Sequence, residues 1–216
     1  MNKKQSIADL RREYTRAGLR RADLDADPIT QFSKWLEQAV DAGLTDPNAM
    51  TLSTVDATGQ PSARIVLLKA VDARGFTFFT NYGSRKGREL AGNPKVALVF
   101  FWPELERQVC ITGTVGKVSR EMSEKYFDSR PKGSRLAAWV SSQSEIIADR
   151  AVLEKKLEEV SAKHPGDKVP LPPYWGGYCV TPARIEFWQG RPNRLHDRFE
   201  YLRQPDNRWL LNRLSP

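Results

Sequence analysis

The chain has 216 residues, with Lys+Arg 34 against Asp+Glu 26 and a formal net charge of +8. That length suits one core that needs no disulfide or metal staple, and 40% hydrophobic residues with ordinary Gly and Pro counts exclude whole-chain disorder and a collagen-like repeat. The longest apolar run, Val96 to Trp102, is far short of the roughly 18 residues a membrane span needs.

The chain opens on a basic arm: residues 1–21 carry Lys3, Lys4, Arg11, Arg12, Arg16, Arg20 and Arg21 against Asp9 and Glu13. No apolar stretch follows Arg11-Arg12, so an export signal is not expected and a cytoplasmic location is the default. Such an arm touches nucleic acid, folds over a pocket for anionic small molecules, or is a solvated and partly disordered terminus, the reading favoured for Met1 to Ala8. Phe32, Trp35, Leu36, Ala39 and Val40 then recur at helical spacing, with Thr30 as the expected cap and Gly43 as the stop. Met50 to Val55, Ala63 to Val71 and Phe76 to Thr80 read as strands joined by the short turns at 56–59 and 72–75, hence antiparallel neighbours. Ser84 to Ala91 is a short helix stopped by Gly92-Asn93-Pro94. Lys95 to Trp102 reads as a strand buried on both faces, and Arg107 to Val118 as a longer one bent at Gly113 and Gly116.

Helices follow at Glu121 to Ser129, at Ser134 to Val140, and from about Glu145 to Lys163, the last opened by the capping-box pair Ser142 and Glu145. After a Pro/Gly-rich loop at 164–177, strands are expected from Tyr178 through Gln189, over Arg198 to Arg203, and over Arg208 to Leu214. Many short antiparallel strands with helices grouped mid-chain give an α+β class whose sheet tends to close into a barrel. No GxGxxG follows a strand and no GxxxxGK[ST] exists, which removes the dinucleotide and P-loop motifs. Two cysteines, Cys110 and Cys179, and two histidines, His164 and His196, leave a metal centre almost nothing to draw on, and none is expected.

Four stretches could carry chemistry. In Arg64-Ile65-Val66-Leu67-Leu68-Lys69, strand alternation sends Arg64 and Lys69 to opposite faces, either as solvated ends or toward partners. In Gly83-Ser84-Arg85-Lys86, cations in a first helical turn oppose the helix dipole; this is either an ordinary surface helix with a poor charge pattern or, the favoured reading, a site for a phosphate bound by backbone N–H groups, Ser84, Arg85 and Lys86. Tyr126 and Arg130 stand i, i+4, with Ser134 beyond a Pro turn; these suit a phosphate, or else an ordinary helix C-terminus. Arg194, His196 and Arg198 share one face if that segment is extended, and two flanking arginines favour a neutral imidazole. Six tryptophans among many arginines also fit a nucleic-acid surface, but basic residues dispersed over separate motifs suit two small phosphorylated ligands better.

Taken together, these motifs resemble the FMN-dependent pyridoxine (pyridoxamine) 5′-phosphate oxidase family. The resemblance spans nearly the whole chain. It takes in Leu10-Arg11-Arg12-Glu13-Tyr14, Arg64 to Lys69, Gly83 to Lys86, Glu106 to Val109, Tyr126 to Pro131, Trp139 to Ser144, Pro170-Leu171-Pro172, Trp175-Gly176-Gly177, and Phe187 to Gly190 leading into Arg194 to Arg198. It implies an FMN-binding split β-barrel with flanking helices: a basic arm over residues 1–20, a single domain over 21–216, and a homodimer with sites at the subunit interface.

The implied activity is oxidation of pyridoxamine 5′-phosphate and pyridoxine 5′-phosphate to pyridoxal 5′-phosphate, with O2 as acceptor and H2O2 released, without nucleic acid or membrane as partner. The resemblance assigns the cofactor to Arg64, Ile65, Val66, Leu67, Leu68, Lys69, Phe79, Thr80, Arg85, Lys86, Gln108, Gln143, Ser144, Trp188 and Arg198, some of them from the second subunit. It assigns the substrate to Lys69, Tyr126, Arg130 and Ser134 at the phosphate, to Arg194, Leu195 and His196 at the ring, and to Arg11, Arg12, Glu13 and Tyr14 as a closing segment. Arg194 and His196 take the catalytic positions.

Overall fold

The computed structural model describes residues 13–15 and 18–216. In chain order the elements are α1 (Pro28–Asp41), β1 (Ala49–Val55), β2 (Pro61–Leu67), β3 (Ala70–Asp72), β4 (Gly75–Asn81), α2 (Arg85–Gly92), β5 (Lys95–Trp102), β6 (Arg107–Lys117), α3 (Arg120–Asp128), α4 (Lys132–Val140), α5 (Ala151–Lys163), β7 (Trp175–Gln189), β8 (Asp197–Arg203) and β9 (Trp209–Leu214). The strands hydrogen-bond in the order β2-β1-β5-β6-β7-β4-β3, with β8 on β7 and β9 on β8. The α+β, antiparallel class expected from the sequence is the one observed. The described residues form two compact units.

One unit comprises the described residues of Met1–Pro47 with Val99–Ile111 and Arg184–Pro216. Its core forms where α1 lays Phe32, Trp35 and Ala39 on strand residues: Phe32 meets Phe100 at 4.8 Å between ring centroids, and Trp35 meets Phe187 edge-on at 5.1 Å. Asp27, not Thr30, caps α1: its carboxylate accepts from the Thr30 N–H at 2.9 Å, and Pro28 takes the first helical position, where a missing N–H costs nothing. In this unit β7 pairs with β8 through Trp188↔Arg198, and β8 with β9 through Arg198↔Leu214.

The other unit comprises Asn48–Leu98 and Thr112–Ala183. Here β1 pairs with β2 (Leu52↔Arg64), β3 with β4 (Val71↔Phe76), and β4 with the first half of β7 (Phe79↔Gly177). The strand expected over Ala63 to Val71 is therefore two strands. The Leu68 N–H donates to the Asn48 carbonyl and the Lys69 N–H to the Thr77 carbonyl, both at 2.8 Å, so the chain changes partner between these residues. A buried cluster of Phe127, Leu136, Val169, Leu171 and Trp175 holds α3, α4 and the loop before β7 together.

Two further expectations are corrected, and one glycine gains a reason. Burial alternates along β5 and Phe101 is 54% exposed, because only one face of this antiparallel strand is covered. At Gly113 in β6 a Cβ would lie 2.1 Å from the Thr181 carbonyl oxygen, so the glycine admits a close backbone approach. The last helix begins at Ala151, not near Glu145: Ser142 to Ser144 form a turn with Ser144 at φ 75°, and Ile146 is wholly exposed. Among the described residues no helix is long and apolar enough to cross a membrane.

Candidate active site

In the 48–98/112–183 unit, a cavity of about 310 Å³ is lined by Ile65, Val66, Leu67, Lys69, Phe79, Thr80, Asn81, Lys86, Tyr126, Arg130, Gln143 and Trp175. Five separate stretches of sequence thus converge, and most of the residues expected at the cofactor and substrate phosphate stand together. A second cavity of about 560 Å³ shares Lys69, Phe79 and Tyr126 with it. Along β2 burial alternates as expected, with Arg64 and Val66 half-buried and Ile65 and Leu67 exposed.

One end of the site is cationic. The Arg64 guanidinium donates to the Thr54 and Ser62 hydroxyls at 2.5 Å and to Glu89 Oε2 at 3.3 Å. Arg85 Nε donates to Glu89 Oε1 at 2.8 Å. Lys86 Nζ donates to Gln143 Oε1 at 3.0 Å and to Thr80 Oγ1 at 3.3 Å. Burial, with the nearby Arg64 charge, pulls the Lys86 ammonium below its ordinary value. Burial alone would raise Glu89, but hydrogen bonds from Thr54, Ser62 and Arg85, with the Arg64 charge, hold it at about 2. Ser84 is not available to a ligand: it is fully buried, caps α2 by accepting from the Gly87 N–H, and donates to the Asn81 carbonyl at 2.7 Å.

At the other end, Tyr126 stacks on Phe79 with centroids 4.0 Å apart. Lys69 Nζ lies 6.0 Å from the Tyr126 centroid, and the Arg130 guanidinium 4.7 Å from that of Trp175. The helix ends at Asp128, so Arg130 lies just beyond it, yet it lines the same cavity as Tyr126. Arg130 Nη1 is buried with no hydrogen-bond partner, and burial lowers the guanidinium pKa. A buried, unpaired cationic donor is costly unless an anion completes it. Of the other expected residues in this unit, Leu68 is buried behind the lining, Ser134 stands in the first turn of α4, and Ser144 lies in the exposed turn beside Gln143.

The remaining expected residues gather in the other unit. Tyr14 meets Trp188 and His196 edge-on, each at 5.5 Å, and Trp188 and His196 lie 4.6 Å apart. The Thr15 N–H donates to the Glu106 carboxylate at 3.0 Å, fixing the segment that carries Tyr14. His196 Nδ1 accepts from the Arg191 N–H at 3.1 Å, which leaves the neutral ring's proton on Nε2. Burial first, then Arg194, lower the imidazole pKa. The condition for a shared face of Arg194, His196 and Arg198 is not met, since β8 starts only at Asp197; Arg194 stands in a 3₁₀ turn with φ 61°, exposed, followed by exposed Leu195. Arg198 donates to Glu186 at 2.7 Å and to the Ser215 carbonyl at 2.9 Å, and Gln108 donates to Cys110 Sγ at 3.2 Å. Glu13 is exposed, and Arg11 and Arg12 lie outside the described residues.

Sequence reasoning missed Glu89, although its place four residues after Arg85 is the spacing of a helical ion pair. It also gave no role to Trp175, which stacks parallel to Tyr126 within 6.1 Å. The donor set fits phosphorylated groups: a cluster of Arg64, Arg85 and Lys86 at one end, and an unpaired Arg130 nitrogen beside Lys69 at the other. Among the described residues no His, Cys, Asp or Glu group is arranged to hold a metal.

The family profile described as Pyridoxamine 5′-phosphate oxidase matches residues 36–164, and that described as Pyridoxine 5′-phosphate oxidase C-terminal dimerisation region matches residues 175–216. A pyridoxine/pyridoxamine 5′-phosphate oxidase of Nostoc punctiforme is 56% identical over 98% of this chain and 99% of its own length. A second, from Ralstonia nicotianae, is 59% identical with the same coverage. Among solved structures, PhzG from Burkholderia lata, in complex with tetrahydrophenazine-1-carboxylic acid, superposes with a TM-score of 0.85 at 32% identity, over 90% of this chain and 95% of that one. A pyridoxamine 5′-phosphate oxidase-related, FMN-binding protein of Nostoc punctiforme, 15% identical, shares the fold at a TM-score of 0.72 over 89% of this chain and 100% of its own. The chain belongs to the pyridoxine/pyridoxamine 5′-phosphate oxidase family, with that family's split-barrel fold.

Proposed function

We propose that this protein oxidises pyridoxamine 5′-phosphate and pyridoxine 5′-phosphate to pyridoxal 5′-phosphate, working as an FMN-containing homodimer with O2 as acceptor and H2O2 as by-product. The observation that carries this reading is the pairing of two cationic ends around one aromatic-walled cavity, the inner one holding a buried Arg130 nitrogen without a partner. One end suits the cofactor phosphate and the other the substrate phosphate. When bound, FMN supplies the two-electron acceptor, which molecular oxygen then restores.

The chain's own work is binding and orientation. Arg64, Arg85 and Lys86 would hold the cofactor phosphate, with residues 65–69, Phe79, Thr80 and Gln143 along the flavin. Gln108, Ser144, Trp188 and Arg198 would complete that site, some of them from the second copy. Lys69, Tyr126, Arg130 and Ser134 would hold the substrate phosphate. Arg194 and His196 would fix the pyridine ring, with His196 donating from Nε2 because its Nδ1 is engaged by Arg191. Leu195 would stand with them at the ring, and Arg11, Arg12, Glu13 and Tyr14 would close over the substrate as part of the 1–20 arm. The two unpaired cysteines, Cys110 and Cys179, support a reducing, cytoplasmic setting.

The test is spectroscopic. Purified protein should be yellow, and pyridoxamine 5′-phosphate added without oxygen should bleach the flavin band. A colourless protein that takes up no FMN, or a bound flavin this substrate leaves oxidised, overturns the reading.

A further inference from the structure

Beneath the cationic end of the cavity lies a buried acid with no place in the roles assigned so far. Glu89 is 6% exposed. Its Oε2 accepts from Thr54 Oγ1 at 2.5 Å, from Ser62 Oγ at 2.7 Å and from Arg64 Nη2 at 3.3 Å, while its Oε1 accepts from Arg85 Nε at 2.8 Å. A carboxylate beside an anion site repels the anion, so burying one there needs a reason. The geometry supplies it. Glu89 engages Arg85 through Nε, which leaves both terminal nitrogens of that guanidinium for another acceptor. It also joins Thr54 and Ser62 in fixing the plane of Arg64. One carboxylate thus joins β1, β2 and α2 and contacts both guanidinium groups. Arg64, Arg85 and Lys86 against Glu89 leave a net charge of +2, which matches a phosphate monoester of about −1.5 to −2.

We propose that Glu89 is a positioning residue: it holds Arg64 and Arg85 as a pre-set pair of donors for the FMN phosphate and so gives the protein its preference for the phosphorylated flavin. This rests on the FMN reading above. Preorganised donors add affinity because their ordering cost is met on folding and not on binding.

The test compares the full-length apoprotein's Kd for FMN with its Kd for riboflavin, which lacks the phosphate, by flavin fluorescence quenching. In Glu89→Gln the FMN Kd should rise about tenfold or more while the riboflavin Kd moves by less than about threefold. Thr54→Val, which removes the hydroxyl linking Glu89 to Arg64, should shift the FMN Kd the same way by a smaller factor, and it keeps the question decidable if Glu89→Gln does not fold. Equal loss for both flavins would mean that Glu89 merely staples the fold, and overturns the proposal. Tighter FMN binding in Glu89→Gln would mean that charge repulsion outweighs positioning, and overturns it too. A wild type with no preference for FMN overturns the FMN reading and this proposal with it; an unchanged preference in both variants overturns this proposal alone.

Discussion

The Arg130 guanidinium lies 4.7 Å from the Trp175 ring centroid and keeps its buried Nη1 without a hydrogen-bond partner. The aromatic face holds the cation in place, and the free nitrogen is left for an anion. A contact to a remote phosphate acts equally on ground and transition states, so its loss should fall on KM. Arg130→Ala should raise KM for pyridoxamine 5′-phosphate by roughly 10- to 100-fold, the scale of a lost charged hydrogen bond of about 1.5–3 kcal/mol, with kcat nearly unchanged. Steady-state kinetics decides this; a fall in kcat at constant KM would mean the residue acts elsewhere.

Arg194 stands in a left-handed turn conformation two residues before His196. A planar guanidinium fixed there provides a directional contact to a ring that an ammonium does not copy, and small tilts of a reacting carbon are costly. Arg194→Lys should therefore slow anaerobic flavin reduction at saturating pyridoxamine 5′-phosphate while FMN stays bound. His196→Asn should slow it less, since His196 is assigned to orientation. Stopped-flow absorbance reads both. Wild-type reduction in Arg194→Lys removes it from the reacting centre, and loss of FMN moves it to the cofactor site.

The pH behaviour of His196 has a definite sign. Burial first, and then Arg194, lower its pKa below 6.5. The unfolded chain then binds the proton at higher pH than the folded one, so the group favours the fold above 6.5, and that contribution is lost as pH falls through the folded value. In NMR titrations the His196 ring should titrate below 6.5, and Arg194→Gln should move its midpoint upward. An unmoved midpoint would show that Arg194 does not act on the imidazole.

Gly87 sits inside α2, where alanine normally stabilises by about 1 kcal/mol. Here a Cβ would fall 2.1 Å from the Tyr82 carbonyl oxygen, a backbone atom that cannot step aside. Gly87→Ala should lower the stability of the apoprotein by about 1–3 kcal/mol, the range for overpacking, and weaken FMN binding because Arg85 and Lys86 ride on the same helix. Chemical denaturation and flavin titration of one sample test both halves; a more stable variant would refute the close approach.

In the single chain Ile65, Leu67, Phe101, Ile146 and Leu195 are exposed, five large apolar side chains with no cover of their own. Native mass spectrometry should find two chains with two FMN. Phe101→Glu should weaken that dimer and, with it, the holding of flavin, whereas a variant that remains dimeric at nanomolar concentration would place the interface elsewhere.

Much of this was legible in the sequence because local rules and the fold agreed. Helical spacing found α1, Ser84 marked the start of α2, and period-two alternation put Arg64 and Val66 on the half-buried side of β2 and Ile65 and Leu67 on the exposed one. The misses share a cause in long-range contact. The helix expected from Glu145 is prevented at its start, where Gln143 is drawn away to Lys86 and Thr80 and Glu145 to Arg88. Ser84 looked like a ligand because a hydroxyl in a Gly-Ser turn carries no mark of whether its own helix will claim it. Glu89 was overlooked because an acid among arginines reads as a surface pair until burial is known. The segment at 194–196 could not be told from a strand, since the left-handed conformations of Asn193 and Arg194 have no glycine to announce them.

The change of partner between Leu68 and Lys69 bears on how this chain can vary. Up to Leu67 the segment follows β1, and from Lys69 it follows β4, with no glycine or proline to absorb slack. Side chains alternate across such a segment, so adding or deleting one residue between Arg64 and Lys69 would turn one of them to the opposite side. Homologous chains should therefore exchange individual side chains within this stretch more readily than they change the count between the two cations. The five-residue interval acts as a ruler, and length is the property of this stretch that selection would guard first.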